Sequence, residues 1–317
     1  MTIVSLVYLI IGLVLLIVYS DFFVDAASSL SIKLKVPKML IALTVAAFGT
    51  CAPELAISFN SIIDGNIDMT IANVIGSCIV NILLIIGIAA IIKPIKVKER
   101  VIKKELPLLV IITTAFFLLI SDSLFNFHAI NGLTRADAIM LLCWFAIFIL
   151  YILRIVRKNK NDELEEAKYG LKTSILLIVV SLFMIILGSD LVVECAEFIA
   201  LKMGISQKII SMTVIVIGTS LPELIMTITS AKKGEFDMAV GNIIGTNIFN
   251  MCIVLGLPVA IYGGISSKAF NLVDTMLVLV SSIMFYFFGK NDKELSRREG
   301  IYMVIVFITY YIYVFFS

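Results

Sequence analysis

Two glutamates stand where an apolar chain has no obvious use for a charge. Glu54 and Glu223 each lie in the middle of a long apolar stretch, with no Lys or Arg at the centre of either. A charged side chain at mid-bilayer costs roughly 2.5–3.5 kcal/mol on insertion scales. Each carboxyl must therefore be protonated or be compensated by a mobile cation. Their neighbours are oxygen donors at helical spacing. Thr50 lies four residues before Glu54 and Thr219 four before Glu223, so each pair shares one helix face. Ser220 joins the second pair three residues before its glutamate. Asn73, Ser77 and Asn81 form a second stripe at i, i+4, i+8, which Asn242, Thr246 and Asn250 repeat. Carboxylate, amide and hydroxyl oxygens are ligands for hard cations such as Na⁺ and Ca²⁺. Pro53 and Pro222 lack an N–H and disturb the bonds to the carbonyls of Gly49 and Gly218. That turn frees main-chain carbonyls, those of Ala47 and Val216 foremost, as further ligands. The competing reading of the Asn and Ser/Thr stripes is helix–helix glue, with Gly76 and Gly245 permitting close approach. Glue has no need of an unpaired acid at mid-depth.

The elements that must hold these residues follow from composition. The 317 residues are 61% hydrophobic and 15% charged, with mean hydropathy +1.09. A soluble domain carries about 25% charged residues. The excess apolar surface excludes a cytosolic enzyme, a nucleic-acid binder and a secreted disulfide scaffold. A spanning helix needs about 20 apolar residues. Ten stretches are predicted to span: 3–25, 38–62, 69–92, 105–121, 135–153, 172–199, 207–231, 238–261, 272–289 and 300–316. No stretch alternates as a transmembrane barrel strand does. The N-terminal stretch lacks a basic lead and a small-residue cleavage site, so it reads as the first span and not as a cleaved signal. With ten spans, Arg135, Lys202, Lys208 and Lys268 fall on one side and every other Lys and Arg falls on the opposite side. The basic side is cytoplasmic by the positive-inside rule. Both termini then lie outside the cytoplasm of an inner or plasma membrane.

The chain also repeats itself at an offset of 169. Ser20-Asp21 returns as Ser189-Asp190, Gly49-Thr50 as Gly218-Thr219, and Pro53-Glu54-Leu55 as Pro222-Glu223-Leu224. Asn73, Gly76, Asn81 and Gly87 return as Asn242, Gly245, Asn250 and Gly256. Apolar bias matches Ile with Ile, but it does not align Gly, Pro, Asn, Asp and Glu together. Five spans separate the copies, so the second enters from the opposite side. The expected fold is all-α, with ten transmembrane helices as two inverted five-helix repeats, the arrangement of many secondary transporters. The repeats occupy 1–157 and 172–317, joined by a cytoplasmic linker at 158–171. The matching cores of the two copies lie at about 38–90 and 207–258.

At this point the residues resemble a family. Phe-Gly-Thr-Cys-Ala-Pro-Glu at 48–54 and Ile-Gly-Thr-Ser-Leu-Pro-Glu at 217–223 are similar to the two α-repeat motifs of the cation/calcium exchanger superfamily. Asn73 to Asn81 and Gly241 to Asn250 resemble the second halves of those repeats. The resemblance covers essentially the whole chain and is nearest to compact prokaryotic sodium/calcium exchangers. It implies that Glu54, Glu223, Thr50 and Thr219 bind Ca²⁺. It implies Na⁺ sites flanking them, on Ser220, Ser77, Thr246 and the carbonyls of Ala47 and Val216, with Asn81 and Asn250 ending the motifs. Two departures stand out. Cys51 replaces the family's usual serine, and sulfur is a poor ligand for Na⁺. Asn250 replaces the aspartate of several relatives, including potassium-dependent ones, and removes an ionisable group. The implied activity is Na⁺/Ca²⁺ antiport by alternating access, electrogenic and K⁺-independent, with H⁺/Ca²⁺ or other cation/Ca²⁺ exchange as the alternative. A cation channel and an intramembrane hydrolase fit the duplicated ligand set less well. The expected partners are the bilayer and the two transported ions, with no enzymatic activity, no resident cofactor, no nucleic acid and a monomeric chain.

The other polar residues carry less. Asp21 and Asp25, matched by Asp190 and Glu194, fit either a cation vestibule or interfacial solvation. The acidic run Asp162, Glu163, Glu165, Glu166 reads as a solvated linker. His128 is the only histidine and reads as surface. Cys51, Cys78, Cys143, Cys195 and Cys252 lack CxxC spacing and read as free thiols. Trp144, Tyr310, Tyr311 and Tyr313 read as packing or interface anchors.

Overall fold

The structure of the chain is a computed structural model that describes residues 2–124, 131–158, 166–202, 204, 216–266 and 271–316. His128, the linker acids Asp162, Glu163 and Glu165, and the first nine residues of the stretch predicted at 207–231 lie outside the described residues. The described residues are mostly helical. Helix α1 is Thr2–Leu34. Helices α2 (Lys38–Thr50) and α3 (Ala52–Ile63) form one pair bent by 43°. Then come α4 (Ile67–Ile92), α5 (Leu106–Ile120), α6 (Arg135–Lys158) and α7 (Leu171–Lys202). Helices α8 (Val216–Thr219) and α9 (Leu221–Lys233) repeat the break of the α2–α3 pair. The remainder are α10 (Phe236–Tyr262), α11 (Leu272–Lys290) and α12 (Arg297–Phe316).

Among the described residues, six helices are each long and apolar enough to cross a membrane, or seven spans if the bent pair counts as one. Three of the ten predicted stretches, 105–121, 207–231 and 300–316, are not among them. Helix α5 continues a wide helical turn, Val101–Glu105, that carries Lys103, Lys104 and Glu105. The stretch 207–231 is described only from Val216, and α12 opens on Arg297, Arg298 and Glu299.

The molecule is apolar outside and buries polar side chains within an apolar core. Ile10, Val14 and Ile17 of α1, Leu176, Val179 and Phe183 of α7, and Ile301, Ile305 and Ile308 of α12 are exposed, while Glu, Asn, Thr and Ser side chains are buried. This is the reverse of a water-soluble protein and suits hydrocarbon as solvent. Helices α4 and α10 form the centre, with 72% and 83% of their apolar windows buried against 28% for α1 and α7. The outer pair α1 and α7 run against one another over their length. They meet at Gly12 and Gly188, where a Cβ on either would come within 3 Å of the other's carbonyl oxygen.

Residues 169 apart occupy matching places. Gly76 abuts Val216, and Gly245 abuts Ala47. Asn73 donates to Ser58 at 3.4 Å, and Asn242 to Thr227 at 3.2 Å. Two contacts join a residue to its own counterpart: Thr113 with Ser282, hydroxyl to hydroxyl at 3.2 Å, and the Cys78 thiol with the Asn247 carbonyl at 4.0 Å. Two short antiparallel pairings link the halves. Strand β1 (Ile95–Lys96) pairs with β4 (Glu294–Leu295), and β2 (Gly132–Leu133) with β3 (Ile265–Ser266).

Ion pairs gather at one end. Lys233, closing α9, reaches Asp21 at 2.7 Å and Asp25 of α1, and Lys168 reaches Asp25 at 2.6 Å. Lys38 pairs with Glu235 at 2.9 Å and Lys98 with Asp237 at 2.8 Å. The hydrogen bond from Lys168 to Asp25 raises the lysine's own pKa. Asp21 and Asp25 are therefore partnered acids.

Candidate cation site

The backbone breaks where the glutamates sit. Cys51 separates α2 from α3 at φ −80°, ψ 3°, and Ser220 separates α8 from α9 at φ −88°, ψ 5°. Proline at the second position of each following helix removes an N–H that the first turn would leave without a helical partner in any case. Glu54 and Glu223 then fall in the first turns of α3 and α9, where the positive end of the helix dipole favours a carboxylate. Asn81 and Asn250 lie on π-helical turns, Val80–Ile86 within α4 and Asn250–Leu255 within α10. Such wide turns are rare and recur at functional sites.

All twelve predicted residues are buried. Glu54, Glu223, Asn81 and Asn250 are each 1% exposed, and Thr50, Cys51, Ser77 and Thr246 are fully enclosed. Ala47, Val216, Thr219 and Ser220 are also buried. The two carboxyls are near enough to interact with each other. The pairing crosses between halves: Thr219 approaches Glu54, and Thr50 approaches Glu223. The Cys51 thiol lies 3.9 Å from Glu223 Oε1 and 3.9 Å from the Thr246 carbonyl oxygen. Asn81 Nδ2 donates to Thr246 Oγ1 at 3.4 Å, and Asn73 Nδ2 to the Glu54 carbonyl at 3.2 Å.

The hydrogen bonds have a consistent direction. Thr50 donates to the Ala46 carbonyl, Thr219 and Ser220 to the Val216 carbonyl, and Thr246 to the Ile243 carbonyl. Each hydroxyl proton thus points into its own helix, and the oxygen keeps its lone pairs for another partner. The Ala47 carbonyl, expected to be freed by Pro53, accepts from the Cys51 N–H at 3.1 Å. The Val216 carbonyl accepts the two hydroxyls. The Ala47 carbonyl also takes the Thr50 hydroxyl at 3.4 Å, so each of these carbonyls already has two donors, and a cation would have to displace or share with a hydroxyl to reach either.

What remains without a partner is almost entirely acceptor oxygen. Both oxygens of Glu54, Oε2 of Glu223, Oγ of Ser77, and Oδ1 of Asn73, Asn81, Asn242, Asn247 and Asn250 are buried with no hydrogen bond, as is Nδ2 of Asn250. Buried polar atoms are nearly always satisfied, so a cluster of orphaned acceptors marks a place built for a positive ligand. Among the described residues, no three His, Cys, Asp or Glu side chains form a metal cluster by themselves. A cation there must draw on hydroxyl, amide and carbonyl oxygen as well, which suits hard ions.

Asn247 was absent from the sequence-derived set. It donates to the Ile243 carbonyl at 2.7 Å and leaves Oδ1 unpaired. Its signal was available: it is the polar residue standing where the first copy has Cys78. Asn73 and Asn242 belong to the polar stripes but lie outside the expected ligand set. Here their amides are held by Ser58 and Thr227, and their oxygens are left over.

This chain matches the family model described as "Sodium/calcium exchanger protein" over residues 4–154 and 173–316. It is 34% identical to the inner membrane protein YrbG of Escherichia coli, over 95% of this chain and 94% of that one. It is 29% identical to the sodium/calcium exchanger MaX1 of Methanosarcina acetivorans, over 99% of both chains. A solved structure of the sodium-calcium exchanger NCX_Mj, soaked with Na⁺ and Sr²⁺, superposes with a TM-score of 0.84 at 29% identity, covering 98% of each chain. A membrane fold, duplicated glutamates at helix breaks and a buried cage of acceptor oxygens meet in these matches: the chain belongs to the sodium/calcium exchanger family.

Proposed function

We propose that this protein exchanges Na⁺ for Ca²⁺ at the Glu54–Glu223 site by alternating access. The observation that carries the reading is the cluster of buried, unpaired acceptor oxygens around two carboxylates, with no basic side chain within it among the described residues. Two carboxylates neutralise one Ca²⁺. Holding several Na⁺ at the same time would leave excess positive charge in a low-dielectric interior, so the two loads compete, as antiport requires. Exchange of three Na⁺ for one Ca²⁺ leaves one net charge to cross, which makes transport electrogenic. Asn250 cannot ionise, and this favours independence from K⁺. The twelve predicted residues are the proposed ligand set, extended by Asn247. The ten predicted stretches are read as two inverted five-helix repeats, 1–157 and 172–317. The reciprocal contacts of residues 169 apart support that reading, and the Thr113–Ser282 and Cys78–Asn247 contacts lie where a two-fold axis would pass. The basic end, where Lys38, Lys98 and Lys233 form ion pairs, is assigned to the cytoplasm.

The experiment is uptake of radiolabelled Ca²⁺ into proteoliposomes loaded with Na⁺, with Na⁺ and pH gradients imposed separately. Uptake should follow the outward Na⁺ gradient, be accelerated by an imposed inside-positive potential or by an ionophore that dissipates the inside-negative potential it generates, and need no K⁺ as a co-substrate. Uptake driven by the pH gradient alone would replace the reading with H⁺/Ca²⁺ exchange. The specific observation favouring that second reading is Cys51, a sulfur at a position suited to a Na⁺ ligand.

A further inference from the structure

The two helix breaks are alike in backbone but not in chemistry. Ser220 presents a hydroxyl whose proton is given to the Val216 carbonyl at 3.3 Å. Cys51, its counterpart 169 residues earlier, presents sulfur. That thiol is fully buried and stands 3.9 Å from Glu223 Oε1 and 3.9 Å from the Thr246 carbonyl oxygen. Beside it, both Glu54 oxygens and Glu223 Oε2 are enclosed without a partner. Two donors at roughly 2.3–2.6 Å from one ion, at angles between 90° and tetrahedral, sit about 3.3–4.2 Å apart. The separation between Cys51 Sγ and Glu223 Oε1 falls in that range, so one ion can touch both.

We infer that Cys51 is a specificity-determining residue that makes this site prefer divalent ions softer than Ca²⁺, with Cd²⁺ as the representative of the class. The inference rests on the proposed cation site and adds a ligand chemistry to it. A site of oxygen donors ranks ions by charge and size, whereas a thiol among them adds affinity for ions that bond to sulfur. The carboxylates supply the charge that any divalent ion needs, and the sulfur decides between ions of similar radius. The same substitution weakens the neighbouring position for Na⁺. Cys78 is buried nearby, but its sulfur faces the Asn247 carbonyl at 4.0 Å and not a carboxylate, so it is not assigned this role.

The test is titration of the purified full-length chain with Cd²⁺, followed by ultraviolet absorption for the sulfur-to-cadmium charge-transfer band, with Ca²⁺ as competitor. The wild-type chain should develop the band, and Ca²⁺ should reverse it. Cys51→Ser, which installs the residue already tolerated at the equivalent break, should lose the band and weaken Cd²⁺ relative to Ca²⁺ by about tenfold or more. Cys51→Ala should do the same, and Cys78→Ser should keep the band. The converse variant Ser220→Cys should strengthen Cd²⁺ binding. A band that survives in Cys51→Ser, or an unchanged Cd²⁺-to-Ca²⁺ ratio there, overturns the inference. It leaves the exchange reading standing if Glu54→Gln still abolishes Ca²⁺ binding. Failure of the wild-type chain to bind Ca²⁺ at all would instead remove the exchange reading.

Discussion

At the scale of single residues, the site is defined by what its hydrogen bonds leave over. Most donors are used up on main-chain carbonyls or on Ser58 and Thr227, and, Asn250 Nδ2 apart, what remains is oxygen. This arrangement predicts the consequence of removing one charge. Glu54→Gln replaces a carboxylate oxygen by an amide N–H that points a donor at a cation. It should abolish Na⁺-driven Ca²⁺ uptake, and Glu223→Gln should do the same, while the protein remains folded by its chromatographic profile. Substantial exchange in either variant would remove the pair from the mechanism. Protons and Ca²⁺ compete for the same carboxylate oxygens. Lowering pH below neutral should therefore raise the Ca²⁺ concentration needed for half-maximal uptake, and returning to neutral should restore it.

At the scale of elements, the site depends on helices that are interrupted on purpose and brought very close. The breaks at Cys51 and Ser220 aim two helix starts at one region, and the π-helical turns at Asn81 and Asn250 re-aim the amides. Close approach is secured by two glycines. A Cβ on Gly245 would meet the Ala47 Cβ and the Leu43 carbonyl oxygen at 2.8 Å, and neither can yield as a long side chain would. Overpacking of this kind costs about 1–3 kcal/mol. Gly245→Ala should lower the thermal midpoint of the detergent-solubilised protein and weaken Ca²⁺ binding, because Ala47 would be displaced from the site. Gly170→Ala, where the new methyl meets nothing within 4 Å, should leave the midpoint unchanged. Equal midpoints for the two variants would show that the α2–α10 contact has slack.

At the scale of the whole molecule, the two halves match at the centre and differ at the ends. Lys233 clasps Asp21 and Asp25, yet the equivalent of Lys233 is Asp64 and the equivalents of the two acids are Asp190 and Glu194. One end is thus tied by ion pairs that the other end cannot form with its matching residues. The same asymmetry underlies the proposed orientation, since basic residues are retained in the cytoplasm. Lys202→Cys, in a chain whose exposed Cys143 has been changed to Ser, should be labelled in intact cells by a membrane-impermeant maleimide. Lys98→Cys should be labelled only after the membrane is opened. The opposite pattern would invert the assigned topology.

Much of this was legible in one dimension. Composition required lipid, because 61% hydrophobic residues exceed what a chain of this length hides from water. The offset of 169 paired the glutamates, and the scarcity of acids in apolar stretches singled out Glu54 and Glu223. These are properties of residue type and spacing, which the chain carries before it folds. Three things needed the tertiary structure. The number of helices long enough to span depends on where turns loosen, as at Val101–Glu105. The crossing of Thr219 to Glu54 and of Thr50 to Glu223 joins residues that no local spacing relates. The place of Cys51 against Glu223 of the other half, like the leftover oxygen of Asn247, exists only once two distant helices pack. Hydrophobicity and periodicity act along the chain, whereas ligand geometry is set by contacts between segments far apart in it. Residue types and spacing therefore nominated which residues a cation would need, and packing alone decided which of their atoms face one another.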